Sequence, residues 1–246
     1  MKIIHATWEK RNLGRDAWEI TFESEDEKNS QIVNDFLDNP IYNDSYLCAK
    51  VPAGQINVIH ALENAGFRFM ENQIGIYFNF KKQRLPESLQ KFSSYLSCEE
   101  VPAQDIQWDE VNRNITDDMF ISDRIYLDPI FPNGTSSMRY KNWINDMKSN
   151  LSNTLLIWRI AKTGELIGFD IMKSIIPTSI AILGGVFPGK AFVGLIHVYC
   201  LFNMLYKKGA SEFKTFISSN NLPMLRCYAE LGAVANNIIY VLRKTK

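Results

Sequence analysis

A tyrosine near the end of the chain has the surroundings of a catalytic group. Tyr228 lies in the segment NNLPMLRCYAELGA, seven residues after Asn221 and four before Gly232. A phenol has an unperturbed pKa of about 10, so it is protonated at neutral pH and can donate a proton. The alternative is a core residue, because Met224, Tyr228 and Leu231 form an apolar stripe at helical spacing. Spacing alone leaves both interpretations open.

Few other side chains suggest chemistry by type and spacing. His197 lies in an apolar segment, where a core histidine is the expected role and a base is the alternative. Asp170 lies in a strand-like segment, where we expect an outward-facing acid and a base pointing into the cleft is the alternative. The four cysteines show no CxxC spacing and the three histidines do not cluster. We therefore expect no metal site.

Composition narrows the class of protein. The formal net charge is zero, which argues against a nucleic-acid-binding surface because such surfaces need excess Lys and Arg. The N-terminal MKIIHATWEK lacks the apolar core of a signal peptide. The most apolar run, 191–206, is shorter than the about 20 residues that span a bilayer. We expect a cytoplasmic protein with reduced cysteines and no membrane partner.

The C-terminal half has a readable order of elements. β-Branched and apolar runs separated by turn residues predict strands, and a proline in the first turn followed by a terminal glycine predicts a short helix. A longer apolar helix ends at two lysines and a glycine. The predicted strands are 154–161, 166–175, 178–187, 213–218 and 237–244, and the predicted helices are 195–206 and 222–231.

The N-terminal half repeats the end of the chain. Residues 47–67 align with 213–233 without a gap, and each segment reads as strand, polar turn, helix and glycine stop, followed by a further strand. Self-similarity of this kind indicates related modules. Leu62 takes the place of Tyr228 in the N-terminal copy. We predict that 47–80 and 213–244 adopt the same strand–helix–strand arrangement.

The segment LGGVFPGKAFVGLIHVYCLFNMLYKKGASEFKTFISSNNLPMLRCYAELGAVANNIIYVLRK resembles the second half of a GNAT superfamily N-acetyltransferase. The general resemblance covers roughly 106–246. The tail NNLPMLRCYAELGA…IIYVLRK, together with DRIYLDPIF and RYKNWI, is most similar to the TDP-fucosamine acetyltransferase type. That type acetylates the amino group of a nucleotide-linked sugar, and it too carries a partial GNAT module at its N-terminus.

The resemblance implies roles for particular residues. Tyr228 would be the general acid that protonates the departing thiolate of coenzyme A. Asp123 and Arg124 would contact the phosphates of the nucleotide sugar, since a guanidinium binds phosphate in bidentate fashion; a surface ion pair is the alternative. Acetyl-CoA would be bound by Val186, Phe187, Gly189, Lys190, Gly194, Leu195 and Asn221. For Asn221 the alternative is a helix N-cap, and for Lys190 a solvated loop lysine.

The loop GKAFVG departs from the family pattern. Ala191 stands where Arg or Gln is usual, and Phe192 stands where the first glycine is usual. Phe192 cannot readily adopt the positive φ of a glycine. A non-catalytic module with a decayed cofactor loop is therefore the alternative of a different class, and N-acylation of another small amine or a peptide is the enzymatic alternative.

The sequence as a whole predicts an α/β protein with a mixed sheet and the GNAT fold. We predict a partial GNAT-like domain at 1–97 and an acetyltransferase domain at 98–246. The predicted function is acetyl-CoA-dependent N-acetylation of a nucleotide-linked amino sugar, in polysaccharide biosynthesis. The predicted partner is a small-molecule substrate, with no nucleic acid and no metal, and a homodimer is the candidate assembly.

Overall fold

A computed structural model of the protein describes residues 1–28 and 32–245. Ten strands form one mixed sheet. The strands are β1 (Lys2–His5), β2 (Ala17–Thr21), β3 (Tyr46–Pro52), β4 (Arg68–Asn79), β5 (Leu96–Val101), β6 (Thr154–Ile160), β7 (Leu166–Ser174), β8 (Thr178–Val186), β9 (Glu212–Ser218) and β10 (Val234–Lys244). Their order across the sheet is β1-β2-β3-β10-β4-β9-β8-β7-β6-β5. The predicted mixed α/β class is confirmed.

Eight α-helices accompany the sheet in the described residues. They are α1 (Lys10–Leu13), α2 (Ile32–Leu37), α3 (Ile56–Asn64), α4 (Gln107–Arg113), α5 (Arg124–Leu127), α6 (Thr135–Lys148), α7 (Gly194–Lys207) and α8 (Leu222–Glu230). Every strand and helix predicted for the C-terminal half is present, and no predicted end differs from the observed one by more than three residues. None of these helices is long and apolar enough to cross a membrane.

The two repeated segments exchange their last strands. β10, from the C-terminal segment, lies between β3 and β4, whereas β4, from the N-terminal segment, lies between β10 and β9. The strand register agrees with the sequence alignment. Pro52 pairs with Ile239, and the residues aligned with them, Ser218 and Gln73, also pair with each other. The alignment therefore describes an approximate two-fold relation centred on the β4–β10 ladder.

The helices of the two segments end in the same way. Gly66 and Gly232 have φ of 86° and 82°, a left-handed conformation that favours glycine after a helix. The amide of Phe67 donates to Leu62 O at 2.9 Å, and the amide of Ala233 donates to Tyr228 O at 3.0 Å. The predicted identity of the two strand–helix–strand arrangements is confirmed.

The central apolar cluster packs α7 and α8 against the sheet, and it includes Phe202, Phe213 and Tyr228. A separate cluster in the N-terminal half contains Leu62. The division at 97/98 stays a prediction. Because β5 runs through that point and pairs with β6, a boundary in the segment 81–95 fits the strands better.

Candidate active site

The parallel strands β8 and β9 begin as neighbours and then separate. Three residue pairs join them, from Thr178–Glu212 to Ile180–Lys214. β8 continues to Val186, still paired with β7 on its other edge, but it makes no further pair with β9. The separation leaves backbone groups of the inner edges without a strand partner, and such groups are obligatory hydrogen-bonding groups.

A cavity of about 470 Å³ lies along this opening. The hydroxyl of Thr215 donates to the carbonyl of Ala181 at 3.1 Å, at the point where the strands part. Beyond this bridge, residues 181–184 of β8 and 215–218 of β9 line opposite sides of the cavity. From there the cavity extends to a second group of side chains, contributed by the N-terminal half and by α5 and α6.

Tyr228 lines the cavity from α8. Its ring packs against Phe213 and Phe202, with centroid distances of 5.8 and 5.9 Å. No hydrogen bond joins its hydroxyl to another described residue. Burial raises the pKa of Tyr228, and the negative charge of Asp170 raises it further. Tyr228 is therefore both a core residue and a fully protonated phenol at a cavity wall.

Asn221 begins the same helix. Its side chain accepts a hydrogen bond from the amide of Met224 at 3.2 Å, so it is the N-cap of α8. Asn221 and Met224 also line the cavity. The sequence offered helix capping as an alternative role for Asn221, and the structure shows it. The same residue also lines the cavity.

A buried polar pair forms the inner wall of the cavity, and it corrects our expectation for Asp170. Asp170 does not face outward: its Oδ2 accepts from Trp158 Nε1 at 2.8 Å and lies 2.9 Å from His197 Nε2. All three side chains are buried. The other ring nitrogen of His197, Nδ1, is sealed from solvent without a partner among the described residues. His197 is buried, as expected, and its Nε2 belongs to a hydrogen-bonded group with Asp170 and Trp158 at the cavity.

Gly184 makes room for this acid. A Cβ at position 184 would lie 2.2 Å from Asp170 Oδ1 and 2.8 Å from the carbonyl of Phe169. No side chain fits there without displacing Asp170. The glycine therefore permits a carboxylate to sit against the strand that lines the cavity.

The far end of the cavity is dense in ion pairs. Arg139 binds Glu9 through two nitrogens, with N–O distances of 2.7 to 3.0 Å. Lys50 pairs with Glu19 at 2.8 Å. Burial alone would raise the pKa of Glu9, but Arg139 lowers it below its usual value. The first pair joins α6 to the 3-10 turn before α1, and the second joins β3 to β2.

Asp123 and Arg124 also lie at this end of the cavity. They do not form the surface ion pair that the sequence offered as an alternative. Both are buried, and they are not paired with each other. Asp123 caps α5 by accepting from the amide of Ile125 at 3.1 Å, and it lies 3.9 Å from Arg139. Arg124 lines the cavity, and its Nε is sealed from solvent without a partner among the described residues.

Glu71 is a cavity residue that sequence reasoning missed. It lies on β4, is 3% exposed, and has one carboxylate oxygen, Oε2, with no partner among the described residues. Burial raises the pKa of Glu71, although the nearby Ser218 hydroxyl and the charge of Arg124 oppose the shift. One sequence feature could have indicated this residue: Glu71 lies in a segment that aligns with β10 and is therefore expected to be a strand.

The predicted coenzyme A loop follows β8. Val186 ends the strand, Phe187 is buried against Phe169, and Gly189 has a φ of 80°. Phe192 needs no positive φ here, because Ala191–Val193 form a 3-10 turn that leads into α7. The first turn of α7 has no capping side chain. These loop residues lie outside the cavity lining.

Lys190 and Gly194 have environments that the sequence did not predict. The ammonium group of Lys190 forms an ion pair with Glu165, so a phosphate would compete with that carboxylate for it. Gly194 has a φ of −55°, and a Cβ there would meet nothing within 4 Å. Leu195 is partly buried against the central cluster. Within residues 1–28 and 32–245, no group of His, Cys, Asp or Glu could hold a metal ion.

Comparison with known proteins identifies the fold. No protein-family profile matches the chain, and no curated protein matches it in sequence. The structure is similar to that of a GCN5-related N-acetyltransferase from Sphaerobacter thermophilus, with a TM-score of 0.60 and 11% identity over 99% of this chain and 75% of that one. A GCN5-related N-acetyltransferase from Kribbella flavida has a TM-score of 0.52 and 11% identity over 93% and 81% of the chains.

A third similar structure is a functionally unknown conserved protein from Staphylococcus epidermidis, with a TM-score of 0.57 and 11% identity over 96% and 88% of the chains. At these identities the likeness concerns the fold alone. The chain has the fold of the GCN5-related N-acetyltransferases, as the sequence predicted. None of the similar proteins points to the TDP-fucosamine acetyltransferase type.

Proposed function

We propose that the protein transfers an acetyl group from acetyl-CoA to the amine of a small molecule. The observation that carries this proposal is the opening between β8 and β9, with Tyr228 on its wall. The pantetheine arm of coenzyme A contains amide groups. An arm of this kind can satisfy the strand edges that the separation leaves without partners.

The thiolate of coenzyme A needs a proton as it departs, and Tyr228 is suited to supply it. Its raised pKa keeps the phenol protonated at neutral pH. Its hydroxyl has no competing partner among the described residues. A positioned acid of this kind contributes about 100- to 10,000-fold in rate.

The pyrophosphate of coenzyme A would lie at the turn between Gly189 and the first turn of α7. Uncapped amides at a helix N-terminus favour an anion. Val186, Phe187, Lys190, Gly194 and Leu195 belong to this proposed site through their backbone or, for Lys190, through its charge.

The acceptor predicted from sequence is a nucleotide-linked amino sugar, and only the resemblance supports it. In that case the phosphates of the nucleotide would contact Arg124. A small amine of another kind and a peptide amine are the alternatives, and each can be offered to the same purified protein.

Two measurements test the proposal. Isothermal calorimetry with acetyl-CoA tests cofactor binding, and release of free thiol in the presence of candidate amines tests transfer. We expect binding and amine-dependent thiol release. No binding at millimolar acetyl-CoA would overturn the proposal in favour of a non-catalytic module with a decayed cofactor loop.

A further inference from the structure

We infer that the acceptor is an amino acid: Arg124 binds its carboxylate, and Glu71 receives the proton of its amine. The inference rests on the proposed acetyl transfer and specifies its acceptor. Both residues line the same cavity as Tyr228, and neither forms an ion pair within the described part of the chain.

Arg124 carries a buried charge whose side chain forms no hydrogen bond or ion pair within the described residues, although the negative charges of Asp123 and Glu9 lie close enough to act on it. A guanidinium stays protonated in proteins and offers five N–H donors in a planar fork that matches a carboxylate. Arg124 is 8% exposed, yet no hydrogen bond or ion pair joins it to another described residue, and its Nε is sealed from solvent. A buried charge is costly unless it is paired. An anionic group of a ligand would supply the missing partner.

Glu71 is the opposite case, a buried carboxyl group that forms no ion pair within the described residues, although the charge of Arg124 acts on it. Gln73 Nε2 donates to its Oε1 at 3.3 Å, but Oε2 has no partner among the described residues. Glu71 lies just before the β4–β9 pairing at Gln73–Ser218, near the start of α8. The α5 helix, which carries Arg124, packs against β4. A ligand with one negative and one positive group satisfies both residues.

The remaining charges of the cavity are already matched. Glu9 binds Arg139, Lys50 binds Glu19, and Asp170 binds His197. Asp146 is paired with Arg11, and Asp123 lies 3.9 Å from Arg139. Six carboxylates and three Lys or Arg side chains line the cavity. This excess of acids disfavours a diphosphate, which adds several negative charges, and it favours a zwitterion.

The reaction balances with these residues. The ammonium group of the acceptor gives one proton to Glu71, and the free amine attacks the carbonyl carbon of the thioester. A C–N bond forms and the C–S bond breaks, while Tyr228 donates its proton to the thiolate. The second amine proton returns to the phenol through solvent. Amino acid and acetyl-CoA thus become the N-acetyl amino acid, coenzyme A and one proton released from Glu71.

The test compares amines that differ only in the carboxylate. The pairs are glycine with methylamine, β-alanine with ethylamine, and phenylalanine with phenethylamine; the last is chosen because Trp8, Phe120 and Trp143 line the acceptor end. A nucleotide-linked amino sugar is the further arm. For each acceptor, kcat/KM is measured for the wild-type protein and for Arg124→Met, Arg124→Lys and Arg226→Met.

We expect the wild-type protein to prefer at least one amino acid over its decarboxylated partner by about 10- to 100-fold, the range of a charge-assisted hydrogen bond. Arg124→Met should abolish this ratio, and Arg124→Lys should restore part of it. Arg226, exposed on α8 and outside the cavity, is the matched control, and its loss should leave the ratio unchanged.

Equal rates for both members of every pair, or acetylation of the amino sugar alone, overturn the inference and leave the acetyl transfer standing. Failure of acetyl-CoA to bind overturns the proposed function itself. If Arg124→Met does not fold, as judged by circular dichroism, the wild-type ratio decides the question, because both members of a pair meet the same protein.

Discussion

The two halves of the sheet contain matching parallel strand pairs that behave differently. β2 and β3 stay paired over five residues, from Ala17–Tyr46 to Thr21–Lys50. β8 and β9 stay paired over three, ending at Ile180–Lys214. Under the gapless alignment, Lys50 corresponds to Phe216, which is already past the point of separation. The same module therefore exists once with a closed strand pair and once with an open one.

The difference shows what the second copy gained. In the closed copy, Leu62 fills the helix position and is fully buried. In the open copy, the corresponding Tyr228 lines the cavity that the separated strands create. The closed copy also contributes to the cavity, because its last strand, β4, pairs within the open copy and places Glu71 in the cavity lining. One module carries the proposed cofactor site, and the other completes the acceptor side.

The largest effect is expected at the residue that most distinguishes the two copies. Tyr228→Phe keeps the ring and its packing but removes the proton donor, so we expect turnover to fall by about 100- to 10,000-fold. Binding of acetyl-CoA should change little, since the proton is needed at the transition state. Tyr199→Phe is the control, because Tyr199 is buried on α7 but does not line the cavity. Near-normal turnover of a folded Tyr228→Phe protein would mean that Tyr228 is a core residue and not the general acid.

The strand exchange itself is tested at Glu71. If Glu71 is the base, the rate should rise with pH through its raised pKa and level off above it. Glu71→Gln should lose this rise and about 100-fold in turnover. A pH–rate profile that is the same in the variant and the wild-type protein would show that β4 contributes structure alone.

The same substitution has an expected effect on stability with a defined sign. Because the pKa of Glu71 is raised in the folded protein, its contribution is most favourable below its unfolded pKa and is lost as pH rises through the folded pKa. Glu71→Gln should therefore raise the melting temperature at neutral pH and change it less under acidic conditions. Scanning calorimetry at two pH values checks this; a lower melting temperature at neutral pH would contradict it.

A smaller effect is expected from filling the space beneath Asp170. Gly184→Ala places a methyl group against the carboxylate and a backbone carbonyl, so we expect a loss of about 1–3 kcal/mol in the free energy of unfolding. Gly194→Ala is the matched control, because a Cβ there meets nothing within 4 Å. Urea denaturation compares the two. Equal stability of both variants would mean that the Asp170–His197 pair is not rigidly placed.

The smallest effect is expected at the exposed loop. Lys190→Glu should weaken acetyl-CoA binding by on the order of 1 kcal/mol, since exposed charge contacts are worth little. Glu165→Gln should strengthen binding by a similar amount, because it releases Lys190 from its ion pair. Calorimetry measures both. Unchanged affinity in both variants would remove Lys190 from the proposed phosphate site.

Local sequence predicted the elements of the C-terminal half, whereas long-range pairing escaped it. Runs such as TLLIWRIA carry their strand signal within themselves, and the glycine stops define the helix ends. The exchange of β4 and β10 depends on contacts between distant segments, which no local pattern encodes. The internal repeat was the one sequence feature that pointed to this exchange. Its two copies align without a gap because their strands pair in matching register.

The candidate site was only partly predictable for a related reason. Asp170 lies in β7, whose residues are buried on both faces over most of its length, so no alternation of apolar and polar residues indicated which way it faced. Glu71 looks like an ordinary surface charge in the sequence, and Arg124 became a candidate only through the family resemblance. Their burial results from the strand exchange and from the packing of α5 on β4, both of which are tertiary features.

Hydrogen–deuterium exchange of the wild-type protein, with and without acetyl-CoA, tests directly whether the cofactor binds between β8 and β9. We predict slower exchange in peptides covering 178–187 and 213–222, the open strand pair, and no change in peptides covering 17–22 and 46–52, the closed pair. Protection of the closed pair, or binding that leaves the open pair unprotected, would contradict the claim that the separated strands hold the cofactor.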